Sequence, residues 1–243
     1  MHRRYSVSTY AVSDLHSYPV EKFKALLDGV GFTDKDTLYV LGDVIDRNGD
    51  GGVELLRYFM TRPNIVLILG NHEEMLLACD FLFNKSRDDA VRFSNIENVM
   101  AYFNYLSNGG RVTLESLREL AKDAPAAVGG ILGYLRDAPH IGAVTVGGQD
   151  FLLVHSGLGG FDPCKKISDY TAKDLLWTRP ELDTEYFDDI ITVFGHTPTL
   201  YYGDENRGKV LKTRTWIDID VGAGQGFPPT LLRLDDLEVF YGE

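Results

Sequence analysis

Thr37-Leu38-Tyr39-Val40-Leu41-Gly42-Asp43-Val44-Ile45-Asp46-Arg47 is the stretch on which the fold of this chain turns. Residues 37–41 are β-branched, aromatic or aliphatic and run into a glycine, which predicts a strand ending at Leu41. Asp43 then stands just past the strand, where its carboxylate points off the rim of a sheet. The two oxygens carry separate lone pairs, so this one group can serve two cations. Asp46 and Arg47 share a face with Asp43 if the chain enters a turn or helix. Arg47 has a planar donor fork that matches a phosphate in bidentate fashion. The plain alternative is a solvated Asp–Arg pair, worth under about 1 kcal/mol on a surface.

Outward from this stretch, strand character recurs at Tyr5–Val12, Ile65–Leu69, Phe151–Val154, Ile190–Phe194, Trp216–Ile219, Leu231–Leu234 and Glu238–Tyr241. Phe23, Leu26, Leu27 and Val30 fall on one helical face, as do Val53, Leu55, Leu56 and Phe59. Strands alternating with helices indicate an α/β layer fold. The strand-rich second half suggests a mixed sheet or a two-sheet sandwich. Residues 74–140 read as helical, with turns at Gly109-Gly110 and Gly129-Gly130, and the part over about 84–140 is expected to form a cap. No repeat or linker divides the chain, so residues 1–243 are read as a single domain.

Polar clusters follow the strand ends: Ser13-Asp14-Leu15-His16, Gly42-Asp43, Gly70-Asn71-His72-Glu73, His155-Ser156-Gly157 and Gly195-His196-Thr197. In open α/β sheets ligands gather beyond the carboxyl ends of strands. Asp14 and His16 combine carboxylate oxygen with imidazole nitrogen, a donor set suited to iron, manganese or zinc, although a chance surface pair is commoner. The Asn71 carbonyl is a neutral donor to a hard cation. His72 suits protonation of a leaving alkoxide or phenoxide, because imidazole titrates near working pH. Asp46 can hold that imidazole and fix its tautomer. Glu73 reads as an acid favoured by a helix N-terminus. His155 and His196 each follow an apolar strand, and two histidines in one context point to ligands. His140, after Pro139, reads as a loop residue.

Composition bounds the rest. With 44% apolar residues the chain can bury a real core without disulfides. Twenty-four basic residues against 36 acidic ones give a charge of −12. That argues against general binding to nucleic acid or to anionic membranes. Cys79 and Cys164 form no CxxC, so a thiolate zinc site is not expected, and Cys79 reads as a core residue. No run approaches membrane-span length and no signal peptide is evident, so a cytoplasmic location is expected.

Taken together and in order, D-x-H, G-D-x-x-D-R, G-N-H-E, H-S-G and G-H-T resemble the phosphoprotein phosphatase family of metallophosphoesterases, over about residues 8–222. The variant is similar to the short bacterial and phage serine/threonine phosphatases. The resemblance implies a calcineurin-like β-sandwich flanked by helices, with a helical mid-chain insertion. It implies two divalent metal ions, manganese first and iron or zinc as alternatives. Asp14, His16 and Asp43 would hold one; Asp43, Asn71, His155 and His196 the other. His72 would be the general acid and Asp46 its partner. Arg47 and Arg179, the latter in Trp177-Thr178-Arg179, would grip the substrate phosphate. The implied reaction is attack on phosphorus by a hydroxide that two metals activate. The implied substrate is a phosphorylated protein or small phosphoester. The bacterial symmetrical dinucleoside tetraphosphate hydrolases share these motifs and are the alternative. A metal-holding regulatory protein without catalysis is a third reading, but no expected ligand or acid is missing. The chain departs from the family at Ser13 and Ser17, where glycines are usual, and at Asn48, which replaces the glycine after the arginine. Asn tolerates φ > 0, so a similar turn is expected at Asn48. Asp218-Ile219-Asp220-Val221-Gly222 resembles a late structural strand of the family.

Overall fold

The central strands of the sandwich send alternate side chains to two different cores, which is how period-two patterning builds stacked layers. The structure is a computed structural model that describes residues 7–83 and 93–243. One mixed sheet has the order β10-β9-β1-β2-β3. Its members are β1 (Thr9–Val12), β2 (Thr37–Leu41), β3 (Ile65–Ile68), β9 (Thr230–Arg233) and β10 (Glu238–Tyr241). The other has the order β4-β5-β6-β8-β7. It contains β4 (Ile141–Val146), β5 (Gln149–Val154), β6 (Ile190–Phe194), β7 (Leu211–Lys212) and β8 (Trp216–Asp218). Ala11, Leu41 and Ile68 of the first sheet meet Phe151, Leu153, Val193 and Ile217 of the second in the inter-sheet core. The opposite faces of β1, β2 and β3 send Tyr10, Val12, Leu38, Val40, Ile65 and Leu67 under the helices. Leu152, Val154, Phe194 and Trp216 cover the outer face of the second sheet.

Among the described residues the α-helices are α1 (Val20–Val30), α2 (Val53–Met60), α3 (Asn71–Ala78), α4 (Ile96–Ser107), α5 (Arg111–Asp123), α6 (Pro125–Asp137) and α7 (Ala172–Leu176). α1 buries Phe23, Leu26 and Leu27, the stripe its spacing predicts. α4, α5 and α6 make up the described part of the expected cap; residues 84–92 lie outside the described residues. This is the α/β sandwich with helical flanks and mid-chain helices that the motif set implies. β1–β2, β2–β3 and β5–β6 pair in parallel, so the carboxyl ends of these strands share a rim within each sheet.

Some elements differ from the sequence reading. The first strand begins at Thr9 rather than Tyr5, and residues 5 and 6 lie outside the described residues. β4 was not anticipated; it pairs with β5 through Gly147-Gly148, whose φ values of 60° and 89° close a tight hairpin as a type I′ turn requires. Gly129 and Gly130 do not form a turn but lie inside α6. Val128, Ile131, Leu132 and Leu135 bury one side of that helix, and this packing outweighs the roughly 1 kcal/mol that each helical glycine costs.

Glu73 does more than favour a helix terminus. It is fully buried near the start of α3. Its Oε2 accepts the N–H groups of Asp43 (2.8 Å) and Gly70 (3.1 Å). Its Oε1 accepts those of Val44 (2.8 Å) and Ile45 (3.3 Å). One carboxylate thereby staples the segment after β2 to the segment after β3. Glu73→Gln would turn an amide NH₂ toward backbone N–H donors. The variant should lose about 1–3 kcal/mol in urea unfolding of the metal-free protein; unchanged stability would show that the staple is dispensable.

Candidate metal centre

Seven of the eight described non-glycine residues with positive φ lie in the polar clusters or within four residues after them. They are Asp14 (52°), His16 (39°), Ser17 (64°), Asp43 (52°), Asp46 (75°), Arg47 (70°) and His196 (68°). Such backbone costs of order 1 kcal/mol or more at each residue, and it persists only where the surroundings hold it. Here the segments leaving β1 and β2 are tied together beyond the strands. Asp14 N–H donates to Gly42 O (3.1 Å), His16 N–H to Asp43 O (2.9 Å) and Ser17 N–H to Val44 O (2.8 Å). Gly42 and Gly70 touch across the rim, and a Cβ on either would overlap the other segment. Ser17 takes the left-handed conformation of the glycine it replaces, and its Oγ donates to Asp46 O at 2.9 Å. Asn48 does not take the turn expected of it. Arg47 and Gly49 supply the positive φ instead, while the Asn48 amide donates to His16 O at 3.3 Å.

Asp43 occupies the middle. Its Oδ1 accepts the His72 N–H at 3.1 Å and lies 3.4 Å from His155 Nε2. Its Oδ2 lies 3.7 Å from both His16 Nε2 and His72 Nε2. Among the described residues, His16, Asp43 and His72 form one trio whose donor atoms all lie within 4.8 Å of one another; Asp43, His155 and His196 form another. Asn71 Oδ1 lies 2.8 Å from His155 Nε2 and 3.0 Å from His196 Nδ1. Asp14 belongs to neither trio. Its Oδ2 accepts the His196 N–H at 2.9 Å, and Gly195 carries no Cβ that would overlap this carboxylate.

Tautomers follow from what each ring faces. His155 Nδ1 lies 2.7 Å from Leu41 O and His16 Nδ1 lies 3.0 Å from Ile45 O, so both Nδ1 atoms carry the proton. Each Nε2 then turns a lone pair inward, toward oxygen lone pairs of Asp43 or Asn71. His196 Nε2 is buried and has no hydrogen-bond partner. Lone pairs that face one another in a dry cage repel unless cations lie between them. The donor set therefore fits divalent metals bound by nitrogen and oxygen.

Charge states separate the rings. Burial pushes His16 down to about 3 and His196 down to about 2, so both are neutral donors at pH 7. Burial alone would raise Asp43, yet the surrounding imidazoles, His155 and His72 foremost, hold it well below the usual carboxylate range. Burial raises Asp14 to about 6. His72 behaves differently. Burial would lower it, but the Asp43 carboxylate and the Asp46 hydrogen bond outweigh that and raise it to about 8. Its Nδ1 lies 2.6 Å from Asp46 Oδ2, while Arg47 Nη2 lies 3.2 Å from its Nε2. Arg179 anchors on the far segment, donating to Thr197 Oγ1 (3.2 Å) and His196 O (3.4 Å).

Sequence reasoning passed over three neighbours. Tyr105 of α4 and Thr113 of α5 donate to Asp46 Oδ1, at 2.6 and 2.5 Å. Both sit among apolar helix positions, where nothing in the pattern marks them. Trp177 stacks edge-on to His196 at 6.0 Å between ring centroids, and its Nε1 donates to Glu74.

A two-sheet sandwich that gathers His, Asp and Asn at the carboxyl ends of its strands defines a metallophosphoesterase. The chain belongs to the calcineurin-like phosphoesterase family, whose sequence profile matches residues 7–221. A relative from Pseudomonas fluorescens (strain SBW25), named symmetrical bis(5'-nucleosyl)-tetraphosphatase, is 46% identical over 74 residues, 30% of this chain and 25% of that protein. One of the same name from Acidovorax sp. (strain JS42) is 27% identical over 202 residues, 80% of this chain and 59% of that protein. The chain thus spans well under two thirds of the length of these curated relatives. A serine/threonine phosphatase structure from Saccharomyces cerevisiae superposes with TM-score 0.59 at 16% identity, covering 97% of this chain and 80% of that one. The structure of a candidate diadenosine tetraphosphatase superposes with TM-score 0.58 at 17% identity and covers 96% of both chains. These likenesses show the fold.

In the metal-free protein the His72 imidazole should titrate near 8 by NMR. Because this lies above the ordinary value of 6.5, the associated stability, about 2 kcal/mol, is complete below pH 6.5 and is lost as pH rises through 8. Asp46→Asn should move the midpoint down; a wild-type midpoint at or below 6.5 would mean that burial outweighs the carboxylates.

Proposed function

We propose that this chain is a metal-dependent phosphomonoesterase. The observation that carries the reading is the juxtaposition of a cage of inward lone pairs around Asp43 with a carboxylate-held imidazole, His72, on the same rim. Asp43, with His16 and Asp14 on one side and Asn71, His155 and His196 on the other, would hold two divalent ions. Bound there, they supply Lewis acidity to the phosphoryl group and to the water that attacks it. Arg47 and Arg179 approach from opposite segments and would pair with the non-bridging phosphate oxygens. His72, with Nδ1 held by Asp46, would deliver the Nε2 proton to the leaving oxygen. Arg47 Nη2 sits 3.2 Å from that nitrogen, and a bound phosphate would have to draw the guanidinium away before the proton could pass.

A held proton donor matters most for a poor leaving group. The alkoxide of phosphoserine or phosphothreonine is a far stronger base than a polyphosphate. This favours a serine/threonine phosphoprotein as substrate. A second reading, symmetrical hydrolysis of a dinucleoside tetraphosphate, is favoured by the name that both curated relatives carry. Among the described residues no helix is long and apolar enough to cross a membrane.

One preparation loaded with manganese and assayed on a phosphoserine peptide and on diadenosine tetraphosphate separates the two. Faster turnover of the peptide is expected; the opposite ranking would select the second reading, and no hydrolysis of either or of an aryl phosphate would leave a metal-holding protein without catalysis. Stripping metal with a chelator should abolish activity. Asp43→Asn should weaken binding of both ions in calorimetry, and two tightly held ions in that variant would remove its bridging role. His72→Asn should cut turnover by about 10² or more with metal content intact; loss of metal instead would reassign His72 as a ligand.

A further inference from the structure

Helices α4 and α5 lie outside the sandwich in sequence, yet they close around the carboxylate that orients His72. Asp46, Tyr105 and Thr113 are all fully buried. Asp46 Oδ1 accepts both hydroxyls, from Tyr105 at 2.6 Å and from Thr113 at 2.5 Å, while Oδ2 faces His72 Nδ1 at 2.6 Å. The same two helices and their turn also hold the backbone of this segment. The Asp46 N–H donates to Thr113 Oγ1 (3.1 Å) and the Arg47 N–H to Gly109 O (3.2 Å). The fit leaves no slack. A Cβ at Gly51 would overlap the Thr113 backbone, and one at Gly110 would overlap the Tyr105 ring.

A carboxylate held at one oxygen turns freely, because the terminal torsion of Asp is broad and roughly two-fold. Held at both oxygens, its plane is set, and so is the direction of the imidazole that leans on it. Burial and the Asp46 charge keep the Tyr105 phenol well above its ordinary range, so it stays a donor. If α4 and α5 merely filled space over the sheet, apolar residues at 105 and 113 would serve as well.

We propose that Tyr105 and Thr113 are positioning residues of the proton-donor pair: by fixing Asp46 Oδ1 they aim Oδ2 at His72 Nδ1 and keep His72 Nε2 pointed into the cage. This rests on the reading of His72 as proton donor. It gives the mid-chain helices a part in turnover through Asp46, with no contact to metal or substrate. It also accounts for a tyrosine and a threonine at core positions of amphipathic helices.

The test compares Tyr105→Phe, Thr113→Val, Thr113→Ser and His72→Asn on a series of phosphomonoesters whose leaving groups run from nitrophenol to simple alcohols. A positioned acid contributes about 10²–10⁴ in rate when the leaving group is poor and little when it is good. Thr113→Val and Tyr105→Phe should therefore lose about tenfold on alkyl phosphates and less than about twofold on nitrophenyl phosphate, and Thr113→Ser should recover the loss. Metal stoichiometry should match wild type. In the metal-free proteins, ¹⁵N NMR in alkaline buffer should show His72 as a single Nδ1–H tautomer in wild type and as a mixture in Thr113→Val. An equal loss on all substrates, a loss of bound metal, or an unchanged His72 tautomer in both hydroxyl-deletion variants would overturn the proposal. If His72→Asn itself shows no dependence on the leaving group, the proton-donor reading fails, and the tautomer measurement still decides whether the two hydroxyls orient the ring. Thermal unfolding of each variant separates a misplaced ring from a collapsed cap.

Discussion

Lone pairs that face one another across a buried carboxylate are the constraint on which this molecule is organised. Asp43 Oδ1 and Oδ2 look at the Nε2 atoms of His155 and His16, 3.4 and 3.7 Å away, and Asn71 Oδ1 looks at His155 Nε2 as well and at His196 Nδ1. In water such groups would turn away from one another. Here Leu41 O and Ile45 O take the outer N–H of His155 and His16, which leaves the inner nitrogens no choice of direction. This is the outer-shell logic of metal-binding histidines, worked with backbone carbonyls. The run of positive φ values places the groups beyond the strand ends on backbone that regular β structure does not supply.

Strain of that kind requires a frame. The frame is made largely of backbone hydrogen bonds that continue past the ends of β1 and β2, and of the Glu73 carboxylate that collects four N–H groups from two segments. A buried carboxylate that accepts several N–H groups is costly to remove, because each orphaned donor then carries its own desolvation penalty. Glu73 thus links the third strand to the second in the way that the backbone bonds link the first to the second. Where the segments come closest, at Gly42 against Gly70, side chains would keep them apart.

Charge is divided with similar economy. His16 and His196 sit where burial keeps them neutral, whereas His72, beside the carboxylates of Asp43 and Asp46, is held toward its charged form. On the proposed reading, one rim would thereby carry neutral donors for cations and a charged donor for a leaving oxygen. The helices of the mid-chain insertion take part in that division, because Tyr105 and Thr113 occupy the oxygen of Asp46 that His72 does not use.

By itself the sequence determined the layers and the identity of the polar groups. Period-two runs ending in Asp, Asn or His are local properties, and five of them in order are enough to say that strand ends would gather nitrogen and oxygen donors. Tertiary structure decided what local pattern cannot carry. It placed Gly129 and Gly130 inside a helix, because packing outweighed their propensity. It formed β4 as the partner of β5 and gave the left-handed turn to Arg47 rather than Asn48. It turned Glu73 inward as a staple, and it brought Tyr105 and Thr113 to Asp46 across 59 and 67 residues of chain. A hydroxyl on an apolar helix face has no pattern that names its partner; only the approach of the second element, at hydrogen-bond distance, gives it one.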